Sequence, residues 1–315
     1  MKNSNHGLRV IKPGPLTLTQ DIGRFGFTHI GVTQGGAIDD YSFSWANHLL
    51  GNAPNTSCLE ITLGQVEFEV LLDCMLAICG GDLSAQLDNC LLNNWSTFHA
   101  RKGQFLSFKL PKNGLRSYLA VKGGFRFPQQ LNSSACVSKD HLGGLQQNGQ
   151  AIAEHDLIEF CSRSKQIIEK PTQLTFKFRP DYNLPITLRV IESYQVSQFD
   201  DQSLQAIYSQ PFTVDQHSNR MGYRLSCSQA ITVPNEPILS EGITLGAIQL
   251  PPDGQPIVLL NDRQTLGGYP KIGCVARIDL PRLAQAKPGQ TIRFVKGDLN
   301  ELQKTWCQWA NFFGY

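Results

Sequence analysis

The chain has 315 residues, 41% of them hydrophobic and 17% charged, with a formal net charge of +2; a length of this kind predicts about two domains. So small a net charge, with Lys and Arg scattered along the chain, excludes a strong field for nucleic acid or an anionic membrane surface. The opening MKNSNHGLRVIKPGPLTLTQ has no apolar core of signal-peptide length and no later run approaches the roughly 18 apolar residues of a membrane span, so a soluble cytoplasmic protein is expected.

In chain order, LRVIKPG, VEFEVLLD, MLAICGG, SAQLDN, QFLSFKL and RSYLAVKGG occupy the first half, and ITLRVIES, AIQLPPDG, PIVLLND and IRFVKGD the second. Short β-rich runs separated by Gly, Pro, Asn and Asp predict barrels or sandwiches rather than a wound parallel sheet. Helical spacing is sparse. It is found in DDYSFSWANHLLGN, where Phe43, Ala46, Leu49 and Leu50 share a face and Gly51 is the stop, in Ser203–Ser209 and in Leu299–Phe313.

The chain echoes itself. ITLGQVEF at Ile61–Phe68 returns as ITLGAIQL at Ile243–Leu250, 182 residues later, and HARKGQFLSF resembles AQAKPGQTIRF, with Gly103 and Gly289 186 residues apart. Matching order and near-constant offset point to duplication of one barrel-like unit; convergent strand and turn chemistry is the alternative. The boundary is placed in FCSRSKQIIEKPTQLTFKFRPDYNLP, giving domains at 8–170 and 186–298. Nine cysteines, an odd count with no C-x-x-C, sit in apolar or strand-like settings and read as reduced core thiols. The seven histidines are dispersed, and neither metal-ligand spacing nor a phosphate loop is present, so no metal is expected.

Chemistry is sought where glycine meets charge. VLLNDRQTLGGYPKIG runs from a core strand into Asp262, Arg263 and Gln264, then Gly267, Gly268, Tyr269 and Lys271. A strand end fixes a substrate-contacting side chain while the loop admits the ligand. A structural Asp262–Arg263 network closing a barrel end accounts for the same residues. Together with Arg220 and Glu241, these positions give two carboxylates and three cations able to grip an anion while a carboxylate moves a proton. The expected cleft therefore has Asp262, Arg263, Lys271 and Glu241 as catalytic groups and an exposed or half-exposed Asp262–Arg263 pair. Arg220, Tyr223, Gln264 and Tyr269 are its expected substrate contacts, with Asp21, Arg24 and Asp39 added from the glycine-rich N-terminal stretch. Asp beside Gly is also ordinary turn chemistry, and a tyrosine in a β core is ordinarily packing.

LTLTQDIGRFGFTHIGVTQGGAIDDYSFSWANHLLGN, LEITLG, GLRSYLAVKGGF and SNRMGYRL…ILSEGITLGAIQLPPDGQPIVLLNDRQT together resemble the family variously called allophanate hydrolase subunit 2, biotin-dependent carboxyltransferase-like and 5-oxoprolinase C subunit. The resemblance covers Leu8 to Val295. It implies a mainly β fold of tandem cyclophilin-like barrels with a few short helices. It also implies a partner like the 5-oxoprolinase B subunit (allophanate hydrolase subunit 1-like) and a lactam-opening protein like the 5-oxoprolinase A subunit. The implied activity is ATP-dependent opening of 5-oxo-L-proline to L-glutamate, with ATP shared among the partners. The alternatives are the carboxyltransferase part of a biotin-dependent urea carboxylase, whose biotin carrier would be another polypeptide, and a non-enzymatic antagonist of a kinase inhibitor. The segment QLNSSACVS near 131–138 and LGGLQQNGQAIAEHDLIEF after it depart from the family pattern, with Gln150 and His155 at the usual Arg and Gly positions.

Overall fold

The computed structural model describes residues 7–160, 170–234 and 238–315. These form two compact units, one holding everything described up to Arg24 together with Gly35–Asn183, the other Phe25–Gln34 with Leu184–Tyr315.

The first unit contains β1 (Gly7–Pro13), β2 (Leu16–Gln20), α1 (Asp40–Leu49), β3 (Cys58–Thr62), β4 (Val66–Val70), β5 (Cys74–Asp82), β6 (Gln86–Leu87), β7 (Cys90–Leu91), β8 (Ser96–Ala100), β9 (Phe105–Phe108), β10 (Asn113–Val121) and β11 (Leu157–Glu159). They build two sheets, ordered β11-β1-β4-β9-β6-β7 and β2-β3-β10-β5-β8. One core joins them: Leu8, Phe68 and Phe108 from the first sheet pack with Ile61, Leu76 and Leu119 from the second. Strand β4 shows why, since Val66, Phe68 and Val70 alternate inward while Glu67 and Glu69 face outward. The outer Glu69 meets Arg9 on the neighbouring β1, Nη1 to Oε2 at 2.7 Å.

Strands β5 and β10 are buried along nearly their whole length because α1 covers their second face. Phe43 of α1 lies edge-on to Tyr118 of β10, with centroids 6.4 Å apart. The helix starts where the Asp39 carboxylate accepts from Ser42 N at 2.9 Å and from Ser42 Oγ at 2.6 Å. It ends just before Gly51, at φ 65°.

The second unit contains β12 (Ile186–Glu192), α2 (Asp201–Ser209), β13 (Phe212–Val214), β14 (Gly222–Ser226), β15 (Glu241–Gly242), β16 (Ala247–Gln249), β17 (Ile257–Leu259), β18 (Leu266–Gly267), β19 (Lys271–Val275), α3 (Leu280–Ala284), β20 (Thr291–Lys296) and α4 (Leu299–Phe313). Seven strands close a barrel in the order β12-β19-β16-β17-β14-β13-β20, and its joint is a parallel pairing of β12 with β20, Ile186 opposite Ile292. Leu188, Phe212, Tyr223, Ile248, Val258 and Phe294 are buried in this unit. Strands β15 and β18 form a separate two-stranded ribbon.

The mainly β architecture with few short helices is the one the sequence predicts, including all three helical stretches; α3 is an addition. Each internal echo also repeats a backbone detail. Gly64 and Gly246 have φ 72° and 84°, and Gly103 and Gly289 have φ 88° and 85°. Cys58, Cys74, Cys79 and Cys136 are buried thiols, whereas Cys90 and Cys307 are exposed, so the core assignment does not extend to those two. Cys161 and part of the boundary segment lie outside the described residues. Among the described residues no helix is long and apolar enough to cross a membrane.

Candidate functional site in the second unit

Strand β17 ends at Leu259, and the following turn presents Asn261, Asp262 and Arg263, all buried. Across this turn Asp262 does not pair with its neighbour Arg263. Its partner is Arg220, whose Nε reaches Oδ2 and Nη2 reaches Oδ1, each at 2.9 Å. Asp262 N also donates to Arg220 O at 2.9 Å, so backbone and side chain join the same two residues. The expected exposed Asp262–Arg263 pair is thus replaced by a buried Arg220–Asp262 fork.

Arg263 turns elsewhere. Its Nε donates to Ile243 O at 3.1 Å and its Nη1 to Leu260 O at 3.3 Å. Among the described residues no carboxylate pairs with it. Burial lowers its pKa from the usual arginine value. A cation held only by backbone carbonyls retains much of its unneutralised field, which suits it to an anionic group on a ligand.

The second ion pair joins Lys271, at the start of β19, to Glu241 of the β15–β18 ribbon. Tyr194 donates its hydroxyl to the other Glu241 oxygen. Gln195 Nε2 reaches Glu241 Oε1 and Tyr194 Oη, each at 3.0 Å, while Gln195 Oε1 accepts from Lys271 N at 2.8 Å. Lys271 and then Tyr194 hold the Glu241 carboxyl below the usual carboxylate range, and Glu241 in turn raises the Tyr194 hydroxyl. The ribbon brings this group near Arg263, because Glu241 lies opposite Gly267 and Ile243 N donates to Thr265 O at 3.0 Å.

Gln249 of β16 is the register partner of Lys271. It is 6% exposed, and its Nε2 has no hydrogen-bond partner. An unmatched buried amide costs about 1–3 kcal/mol. Motif spacing does not reveal such a group, but one signal was present: Gln249 is a polar residue between the apolar Ile248 and Leu250. Tyr194 and Gln195 carried no comparable mark in the sequence.

The other predicted contacts separate. Tyr223 is 1% exposed and donates toward Ala284 O and Ala286 O at 3.2 and 3.3 Å, so it packs inside the unit rather than facing a ligand. Gln264 and Tyr269 are exposed, Tyr269 at 46%.

Asp21, Arg24 and Asp39 belong to the first unit, and each has structural partners there. Asp21 Oδ1 accepts from Gly23 N at 2.8 Å and Ser133 Oγ at 2.6 Å, and Oδ2 from Ser134 N at 2.7 Å and Ser134 Oγ at 3.2 Å. Both carboxylate oxygens are filled. Arg24, 1% exposed, donates from Nε to Gln130 O at 3.1 Å and from Nη2 to Ser133 O at 3.4 Å. Asp39 caps α1. The segment 131–138, which departs from the family pattern, therefore supplies the hydroxyls that latch Asp21.

Comparison with known proteins gives this geometry a family. The chain is 37% identical to the 5-oxoprolinase C subunit of Escherichia coli over 94% of its length and 93% of that protein. It is 32% identical to the 5-oxoprolinase C subunit of Haemophilus influenzae over 90% of its length and 89% of that protein. The crystal structure of the Kluyveromyces lactis urea carboxylase superimposes with a TM-score of 0.84 at 24% identity, covering 99% of this chain and 30% of that one, and shows likeness of fold alone. Residues 30–296 match the family described as carboxyltransferase domain, subdomain A and B. With that match spanning the barrel and its two ion pairs, the chain belongs to the carboxyltransferase-domain family that includes the 5-oxoprolinase C subunits.

Proposed function

We propose that this chain is the C-type component of an ATP-dependent 5-oxoprolinase, which opens 5-oxo-L-proline to L-glutamate together with a B-type partner and a lactam-opening A-type protein. The observation that carries the reading is the near end-to-end similarity to the E. coli and H. influenzae proteins of that name. A lactam amide is a poor electrophile, and phosphoryl transfer to its oxygen supplies a leaving group. Cations placed before the reaction stabilise the charge carried by the oxygens of the transferring phosphoryl group. Arg263, which no carboxylate pairs among the described residues, and Lys271 are the groups suited to this. Lys271 and then Tyr194 hold the Glu241 carboxyl below the usual carboxylate range, which favours its charged form as the partner of Lys271. The contact fixes the Lys271 side chain in place.

The biotin-dependent reading is supported by the carboxyltransferase-domain match. Co-purification of the chain with both partners, followed by ATP hydrolysis assays, separates the two. Stimulation by 5-oxoproline is expected. Stimulation by urea when bicarbonate, a biotin carboxylase and a biotin carrier are supplied, and none by 5-oxoproline, would move the assignment to a carboxyltransferase. The purified single chain is expected to be silent with either substrate, and its interface with the B-type partner to bury at least about 1,000 Å².

A further inference from the structure

The pairing of β16 with β19 contains a bulge at one telling place. Ile248 lies opposite Gly273, so regular antiparallel register would set Gln249 opposite the buried Ile272; instead the register slips and Gln249 faces Lys271. Direct cross-strand partners share a face of the sheet. Bulges recur beside active sites because they re-aim a side chain. Here the slip places a buried side-chain amide beside a buried ammonium.

Neither group is satisfied by the fold. Gln249 Nε2 has no partner, and the Lys271 ammonium, with three N–H donors, has one carboxylate contact. Gly267 lies close to the amide, since a Cβ on it would lie 2.8 Å from Gln249 Nε2. Gly267 is the register partner of Glu241, which completes the ring back to Lys271. The ring presents N–H donors without a matching acceptor. Glu241 offsets part of the charge of Lys271, so the complement at this pair is a neutral acceptor able to carry partial negative charge rather than a full anion.

We propose that Gln249 and Lys271 form a donor pair that binds the carbonyl oxygen of a small amide substrate. This deepens the 5-oxoprolinase reading and depends on it only for which amide is bound. A donor matched to an acceptor on the substrate also gives discrimination, because an analogue lacking that oxygen leaves the buried amide unpaired.

The test uses the assembled complex, with 5-oxoproline and urea as the two amide probes, in calorimetric titration and steady-state assays of wild type, Gln249→Met and Gln249→Glu. Gln249→Met keeps size and removes the donors. It is expected to melt no lower than wild type, and to bind whichever amide the wild type binds at least about tenfold more weakly. KM should rise by a similar factor with kcat within about threefold, the pattern of lost uniform binding. Gln249→Glu replaces the donor with an acceptor and should show the same weakening, so it decides the matter if Gln249→Met does not fold. Unchanged affinity in either folded variant, or a wild-type complex that binds neither amide, overturns the proposal. A complex driven by urea alone overturns the 5-oxoprolinase reading, while the effect of Gln249→Met on urea binding still decides this one.

Discussion

The guanidinium of Arg220 holds both carboxylate oxygens of Asp262, two parallel contacts of 2.9 Å between residues 42 positions apart in the chain. Both side chains are almost withdrawn from water, at 6% and 11% exposure. Breaking such a pair strands a buried charge, so Asp262→Asn or Arg220→Met should cost about 3–5 kcal/mol. Arg220→Lys, which loses the planar fork, should recover only part of it. Urea denaturation of the three variants measures this, and a loss below about 1 kcal/mol in all of them would show that water reaches the pair.

Burial changes what Arg263→Ala should do. An exposed arginine could be removed with little effect on stability, but this one donates to Ile243 O and Leu260 O, and stripping a buried carbonyl of a donor costs about 1–3 kcal/mol. Arg263→Lys keeps the charge and is the cleaner probe. It should melt close to the parent while turnover of the complex falls at least about tenfold. Full turnover in Arg263→Lys removes the guanidinium from the chemistry.

Acid should loosen the second unit through its ion pairs. Lys271 and Tyr194 lower the Glu241 carboxyl, and Lys296 lowers that of Glu192. A carboxylate depressed in the folded state contributes stability above the ordinary Glu value of about 4.3, and that contribution is lost as pH falls through the folded value. Thermal melts between about pH 6 and pH 3 should drop at the acid end, and Glu241→Gln should flatten the drop.

Thiol labelling should divide the cysteines by burial. Cys74 is pushed up to about 12 by burial, and burial likewise raises Cys58 and Cys79. Native protein should take up a thiol reagent at the exposed Cys90 and Cys307 first, with Cys58, Cys74 and Cys79 reacting only on unfolding. Peptide mapping after a short exposure reads this directly.

Two glycines of similar backbone conformation should respond differently to alanine. Gly103, at φ 88°, has open space at its Cβ position, so Gly103→Ala carries only the strain of a left-handed residue, about 1–2 kcal/mol. At Gly143, φ 68°, the added carbon would sit 2.0 Å from Ala135 O and 2.6 Å from Arg24 Nη2. Gly143→Ala should therefore cost several times more and disturb the Asp21–Ser134 latch. Equal midpoints in denaturant would contradict the close approach.

The helices were legible because their ends are local. Asp298 accepts from Glu301 N at 2.8 Å and Gly314 follows with φ 82°, so cap, periodicity and stop all lie within or beside the stretch Leu299–Phe313. The site was legible only as a set of residue types. Arg220, Glu241, Asp262, Arg263 and Lys271 do concentrate in the second unit, but adjacency suggested pairing Asp262 with Arg263, whereas the turn after β17 gives Asp262 to Arg220 and Arg263 to the Ile243 and Leu260 carbonyls. The true partners are set by tertiary register. Gln249 depends on a one-residue slip opposite Lys271, and Tyr194 and Gln195 on a turn that meets a ribbon more than forty residues later.

Each unit is stitched first strand to last: β1 to β11 in one, β12 to β20 in the other. On a ribosome, where the chain emerges from its N-terminus, the barrel has no closing strand until β20 has been made. Until then β12 presents an unpaired edge, and closing so long a loop carries an entropic cost that local contacts do not offset. The first unit meets its own closing strand at Leu157 and has the rest of synthesis in which to settle. Nascent chains released before Thr291 should thus carry a finished N-terminal unit and an open barrel, with the Lys271 and Gln249 donors not yet held in a closed sheet.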